Sequence, residues 1–339
     1  MSIVTRRPRA RYGTDAFASF QCGAHFTLGD GRALVWLSQL AYETEEPAKI
    51  ADILASWGLA PAHDGIIVED SAPFMPRAST RCIVVNGPEA VLVAFAGTDP
   101  LVLANWITNL NARRGPDGIA RGFNAAAAVV WPRLRPIVAA AAVRGRKVVL
   151  SGHSLGGVLA ALIAFRMSEE GLAEAQAVYT FGMPRAGGRA FAEAYNARLG
   201  ARTFRLVHGD DIVPTLGPSG LGFRHVGRHL ACRRGGPFEA SRLAADTACD
   251  DPQFVASAWR DFAGFWREPR ARMSEGAARI WTAAALAAGR GPAGMRIDSI
   301  GIGHELLPAR IRDHLPDSYV NAFAQPRVGA PALRSAVAD

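Results

Sequence analysis

The chain has 339 residues, 49% of them hydrophobic, enough for one large α/β domain with insertions, or two small domains, and for a sizeable core. Its formal net charge is +8, most of the excess being arginine, but the charges are scattered and no block of five or six occurs. That pattern excludes the concentrated basic stripe expected of a nucleic-acid binder and favours an ordinary basic surface.

Cys22, Cys82, Cys232 and Cys249 are far apart and show no C-x-x-C spacing, so neither a zinc site nor a disulfide framework is suggested. A single Cys232–Cys249 bridge stays open. No apolar stretch reaches the length expected of a membrane-spanning helix, and the N-terminus lacks the apolar segment of a signal peptide. A cytoplasmic location is expected by default, with export by another route as the alternative.

Residues 1–30, with Arg6, Arg7, Arg9 and Arg11, read as a basic N-terminal arm and lead-in loop. Between Arg32 and Tyr42, Leu34, Leu37, Leu40 and Ala41 fall on one face of an amphipathic helix, and a short helix follows over Ala48 to Trp57. Ile83–Val85 and Val91–Phe95 flank Asn86-Gly87, which predicts a β-hairpin around an Asn-Gly turn. The second strand runs into Ala96-Gly97-Thr98. Leu101 to Leu110 is apolar. Gly122 to Ala142 is Ala-rich and helical, with interruptions at Pro132 and Pro136.

Gly152-His153-Ser154-Leu155-Gly156 is a G-x-S-x-G motif, and its flanks give it weight. Val148-Val149-Leu150 before it suits a strand buried on both faces, and the Ala/Leu-rich run to Met167 suits a buried helix. Ser154 is then a candidate nucleophile on a tight strand-to-helix turn. Strands at Ala177–Phe181 and Thr203–Val207, with a helix over Arg189–Leu199 between them, continue the alternation and predict a mostly parallel sheet. Phe223–Ala231 reads as a further strand, Pro252–Ala288 as helical and Leu315–Phe323 as the last helix. The tail from residue 325 is expected to be flexible.

A serine hydroxyl needs a histidine to take its proton and an acid to orient that histidine. With the order Ser, acid, His, the acids Asp210 and Asp211 follow a strand, and His225, His229, His304 and His314 come later. The amide of Leu155, immediately after the nucleophile, is one candidate oxyanion donor.

Five blocks resemble the class 3, fungal-type triacylglycerol lipases of the α/β-hydrolase superfamily. FAGTDPLVLANWITNL is similar to the oxyanion-and-lid segment, RGFNAAAAVVW to the helix before the elbow, and VVLSGHSLGGVLAAL to the elbow. YTFGMPRAGGRAFAEAYN and VHGDDIVPTL resemble the two blocks after it. The resemblance runs from about Arg32 to Gly227 and resumes near His314. It implies an α/β-hydrolase fold over residues 31–324, with a mostly parallel central sheet flanked by helices and a helical insertion at about 240–300 before the catalytic histidine.

The resemblance also implies a catalytic triad of Ser154, Asp211 and His314, an oxyanion hole from Thr98 and Leu155, and a lid over the 101–110 segment with Leu101, Leu103 and Trp106. His304 is the rival base. No metal or organic cofactor is implied. The expected substrate is a lipid ester, with peripheral contact at a membrane or lipid interface and no nucleic-acid partner; the oligomeric state is not read. A phospholipase acting on anionic lipids and a non-catalytic lipid-binding relative are the alternatives. This chain departs from the family in having Ala96 where Arg is frequent and Met183 where Gln is frequent. The 252–290 stretch, with Trp259, Phe262, Phe265 and Trp266, lengthens the interval between Asp211 and His314. It reads as a cap or docking surface, or as ordinary packing of added helices.

Overall fold

The computed structural model describes residues 6–70, 79–98, 114–217, 219–244 and 309–323. Among the described residues nine strands run in chain order: β1 (Ala60–Asp70), β2 (Ser79–Asn86), β3 (Ala90–Phe95), β4 (Lys147–His153), β5 (Ala177–Phe181), β6 (Gly187–Gly188), β7 (Thr203–His208), β8 (Phe223–Arg224) and β9 (Arg228–Cys232). Seven form one sheet in the order β1-β2-β3-β4-β5-β7-β9. The first two pairings are antiparallel and the rest, from β3 to β9, are parallel. This is the mostly parallel α/β-hydrolase sheet expected from the sequence. β6 and β8 pair separately, so the single strand expected over Phe223–Ala231 is divided between two sheets.

The helices are α1 (Leu28–Leu40), α2 (Pro47–Ser56), α3 (Arg121–Val143), α4 (Leu155–Glu169), α5 (Arg189–Leu199), α6 (Ala309–His314) and α7 (Pro316–Ala322). They cover both sheet faces. Along β3, Val91, Val93 and Phe95 join the core under α3, α4 and α5, while Leu92 and Ala94 join the core under α1, α2 and α7. With both faces buried, strands carry unbroken apolar runs rather than alternation.

Four local expectations need correction. β1 falls where no strand was expected; it is an edge strand, and the register break between Pro61 and Ile66 takes up Asp64 and Gly65. The β2–β3 hairpin does not turn on Asn-Gly alone. Asn86 pairs with Val91 and the amide of Gly87 donates to Ala90, so the strands are connected by the three residues Gly87, Pro88 and Glu89. Pro88 has no N–H to continue a ladder, which excludes the two-residue turn.

α3 runs through Pro132 and Pro136 without a break. Both lie on its exposed side, where the carbonyls they orphan reach solvent. At 23 residues α3 is also long and apolar enough to cross a bilayer, contrary to expectation, but Phe123, Val130 and Leu134 are buried against the sheet. Finally, the basic arm is not peripheral. Tyr12, Ala16 and Cys22 belong to the α1-side core. Arg6 pairs with Glu45 and Glu46, Arg7 with Asp317, and Arg9 with Asp52.

Cys22, Cys82 and Cys232 are free and buried. The lid residues Leu101, Leu103 and Trp106, the rival His304, the tail from 325 and all but the first five residues of the 240–300 insertion lie outside the described residues.

Candidate active site

β4 ends at His153 and α4 begins at Leu155, so Ser154 alone makes the turn, at φ 59° and ψ −127°. A non-glycine residue at positive φ is costly, and such strain collects at functional turns. Its neighbours must be glycine for steric reasons. A Cβ on Gly152 would lie 2.0 Å from the carbonyl oxygen of Gly156, and one on Gly156 would lie 2.3 Å from that of Phe95. The elbow therefore brings α4 directly against β3 and β4. The backbone N–H of Ser154 donates to Phe181 at 2.8 Å, which fixes the turn, while its buried Oγ has no hydrogen-bond partner.

The loop after β7 brings Asp211 to His314, the last residue of α6, across 103 positions of sequence. His314 Nδ1 lies 2.8 Å from Asp211 Oδ2. The same oxygen accepts from the Tyr319 hydroxyl at 2.6 Å, and Oδ1 accepts from the amide of Val213 at 2.8 Å. The Val213 amide and the Tyr319 hydroxyl donate to this fully buried side chain, and a carboxylate can only accept, so the contact assigns the imidazole proton to Nδ1. Nε2 is then a bare acceptor, and it is buried without a partner. Burial and the adjacent Asp211 hold the Tyr319 phenol well above the usual tyrosine range, so it stays a donor.

A second chain of hydrogen bonds joins the three parts of the site. His153 Nε2 donates to the carbonyl oxygen of His314 at 2.6 Å. Burial, and then the neighbouring His314 imidazole, hold His153 well below the usual histidine pKa, so it is neutral and its Nδ1 accepts from the Tyr42 hydroxyl at 2.7 Å. That hydroxyl in turn accepts the Gly97 N–H at 2.9 Å. The strand end at Gly97-Thr98, the elbow and the His314 backbone are thus held by one relay. Thr98 Oγ1 is buried without a partner. Leu155 opens α4, and its amide is among the first-turn N–H groups that have no acceptor within a helix.

Ser154, Asp211, His314, Thr98 and Leu155 are brought to this end of the sheet. His225 and His229, which qualified by chain order alone, are not. His225 is buried beside Arg205, Arg185 and His229, and desolvation and then the two guanidinium groups hold it well below the usual histidine range. His229 is lowered to about 3 by burial and by Arg205. Asp210, the neighbour of Asp211, pairs with Arg234 instead. No group of three or more potential metal ligands occurs among the described residues. Tyr42 and Arg234 gave no local signal in the sequence.

Residues 92–220 match the family described as Lipase (class 3). The secreted mono- and diacylglycerol lipase 1 of Fusarium solani is 34% identical over 149 residues, covering 42% of this chain and 43% of the relative. The chain thus spans less than half the length of that curated relative. Among solved structures, the native Rhizomucor miehei lipase propeptide complex is similar with a TM-score of 0.50 and 26% identity, over 63% of this chain and 72% of that one. A lipase from Rhizopus microsporus var. chinensis has a TM-score of 0.54 at 20% identity, over 69% and 84% of the two chains, which speaks for the fold alone. The Fusarium relative is named as secreted, and this overturns the default expectation of a cytoplasmic location. Residues 92–220 thus resemble the class 3 lipases in sequence, and the fold around them is similar to that of a solved fungal lipase.

Proposed function

We propose that this protein is a serine hydrolase that cleaves carboxylic ester bonds of lipids. The observation that carries the reading is the 2.8 Å His314–Asp211 contact, which leaves Nε2 of His314 as a free acceptor near the strained Ser154 turn. In this mechanism Ser154 Oγ attacks the ester carbonyl as Nε2 takes its proton. The oxyanion is met by the amides of Thr98 and Leu155. His314 returns the proton to the leaving alcohol, and water then hydrolyses the acyl-enzyme by the same route. Asp211 fixes the tautomer of His314 and stabilises the imidazolium. Ser154 and His314 make no hydrogen bond in this structure, as is common where catalytic contacts tighten only with substrate bound.

Lipid esters are the proposed substrates by analogy with the family, and contact with a lipid surface follows from their low solubility. Preference for anionic head groups is not favoured, because Arg6, Arg7 and Arg9 of the N-terminal arm are engaged with Glu45, Glu46, Asp317 and Asp52. Hydrolysis of a series of p-nitrophenyl esters tests the proposal. Ser154→Ala should abolish turnover and labelling by a fluorophosphonate probe. Turnover at the wild-type rate in that variant would remove Ser154 from the mechanism.

A further inference from the structure

Asp211 and His314 each have an acidic neighbour in sequence, Asp210 and Asp313, and these neighbours are also joined. The amide of Asp210 donates to Asp313 Oδ2 at 2.8 Å. Arg234, just beyond β9, spans both carboxylates. Its Nε donates to Asp313 Oδ1 and Oδ2 at 3.1 and 2.9 Å, and its Nη2 lies 2.8 Å from Asp313 Oδ2 and 3.0 Å from Asp210 Oδ2. The dipeptides Asp210-Asp211 and Asp313-His314 therefore meet twice. The inner contact is the imidazole–carboxylate pair, and the outer one is an ion-pair clasp.

We propose that Arg234, Asp313 and Asp210 form a positioning clasp that sets the separation of Asp211 and His314. The inference rests on the acid and base roles proposed for those two residues. Three observations support it. First, the side chain of Asp313 is 5% exposed, unlike that of Asp210 at 47%. A buried carboxylate must be paired, so Arg234 is bound to this place more firmly than a surface ion pair would hold it.

Second, the loop is shaped for the contact. Gly209 sits at φ +55°, and a Cβ there would come within 2.6 Å of Asp313 Oδ2, so only glycine admits the carboxylate this close to the backbone. His208 closes the other side, with Nδ1 3.8 Å from Asp313 Oδ1 and its ring packed on Tyr319, the donor to Asp211. Third, His314 closes α6, and the tertiary contacts that fix this end are buried Ile311 and Leu315, the His153 bond to the His314 carbonyl, and the clasp one residue away.

The test uses the full chain and a soluble short-chain p-nitrophenyl ester, with turnover counted per Ser154 titrated by a fluorophosphonate. Arg234→Ala should lower kcat per titrated site by about ten- to a hundredfold, with KM changed by less than about twofold, because sub-ångström misplacement of a base slows chemistry and leaves binding intact. Arg234→Lys should recover only part of the loss, because one ammonium restores the charge without the fork that bridges both carboxylates. Asp210→Asn, at an exposed position, should give a smaller fall of the same kind and carries the test if Arg234→Ala does not fold. The clasp is overturned if kcat per titrated site is unchanged in Arg234→Ala, or in Asp210→Asn where that variant stands alone, or if KM rises while kcat holds. A wild-type chain that is not labelled at Ser154 would instead overturn the proposed function. A labelled, active wild type with an indifferent Arg234→Ala would overturn only the clasp.

Discussion

Asp211 receives three donors, and each does a different job. The Val213 amide fixes the loop, Tyr319 fixes the carboxylate, and His314 is the group being oriented. Asp211→Asn keeps the shape but presents an amide to Nδ1 and so favours the wrong imidazole tautomer. We expect kcat to fall by about 10⁴ with KM little changed, as steady-state ester hydrolysis would show. Tyr42→Phe tests the other relay. It leaves Gly97 N–H and His153 Nδ1 unpaired in the interior, at a cost of about 1–3 kcal/mol for a buried polar group, measurable by urea unfolding. Unchanged stability would mean that the relay is not needed. Ser154 is legible from its motif and flanks, whereas chain order alone leaves Asp210 beside Asp211 and four histidines open, and the choice of Asp211 and His314 comes from the family resemblance. Tyr42 and Arg234 are not, because they reach His153 and Asp313 across 111 and 79 positions and leave no local pattern.

At the scale of elements, the elbow depends on two backbones touching. Gly152→Ala would place a methyl 2.0 Å from the Gly156 carbonyl, with no flexible side chain to yield. A loss of about 3 kcal/mol or more is expected in thermal or chemical unfolding, along with loss of Ser154 labelling. The sheet itself is readable from the apolar runs of β3, β4, β5 and β7, since strands buried on both faces need such runs. β1 is not readable, because an edge strand tolerates a proline and a bulge that would break a central one. α3 shows the same principle in a helix. Prolines that signal an end to the helix are accommodated where the lost hydrogen bonds face water.

For the whole molecule, the N-terminal arm works as a brace. Arg7 donates its amide to buried Glu43, stacks 5.0 Å over Trp36 and pairs with Asp317 at the start of α7, the helix that carries Tyr319. Arg7→Ala should lower stability by about 2 kcal/mol through the lost pair and ring contact, read as a fall in Tm. Stability should also depend on pH in a definite direction. His153, His225 and His229 are held neutral by burial, with pKa values below their unfolded value. Below about pH 6.5 the unfolded chain takes up protons that the folded chain refuses, and each histidine then removes about 1.4 kcal/mol per pH unit, for His229 down to about pH 3. Urea unfolding at pH 7.5 and pH 5 should show the loss; equal midpoints would contradict it.

The buried sulfurs carry a consequence of their own. Burial pushes the Cys232 thiol up to about 12 and raises Cys22 and Cys82 in the same sense, so almost no thiolate is present at neutral pH. Thiolate is the species that oxidants and alkylating reagents attack. While the chain is folded these three positions are chemically silent, and an oxidising medium leaves them untouched. They become reactive only when the layers part. Peptide-resolved alkylation of Cys22, Cys82 and Cys232 would therefore time the opening of the core, with Cys22 and Cys82 reporting from the two sides of the sheet.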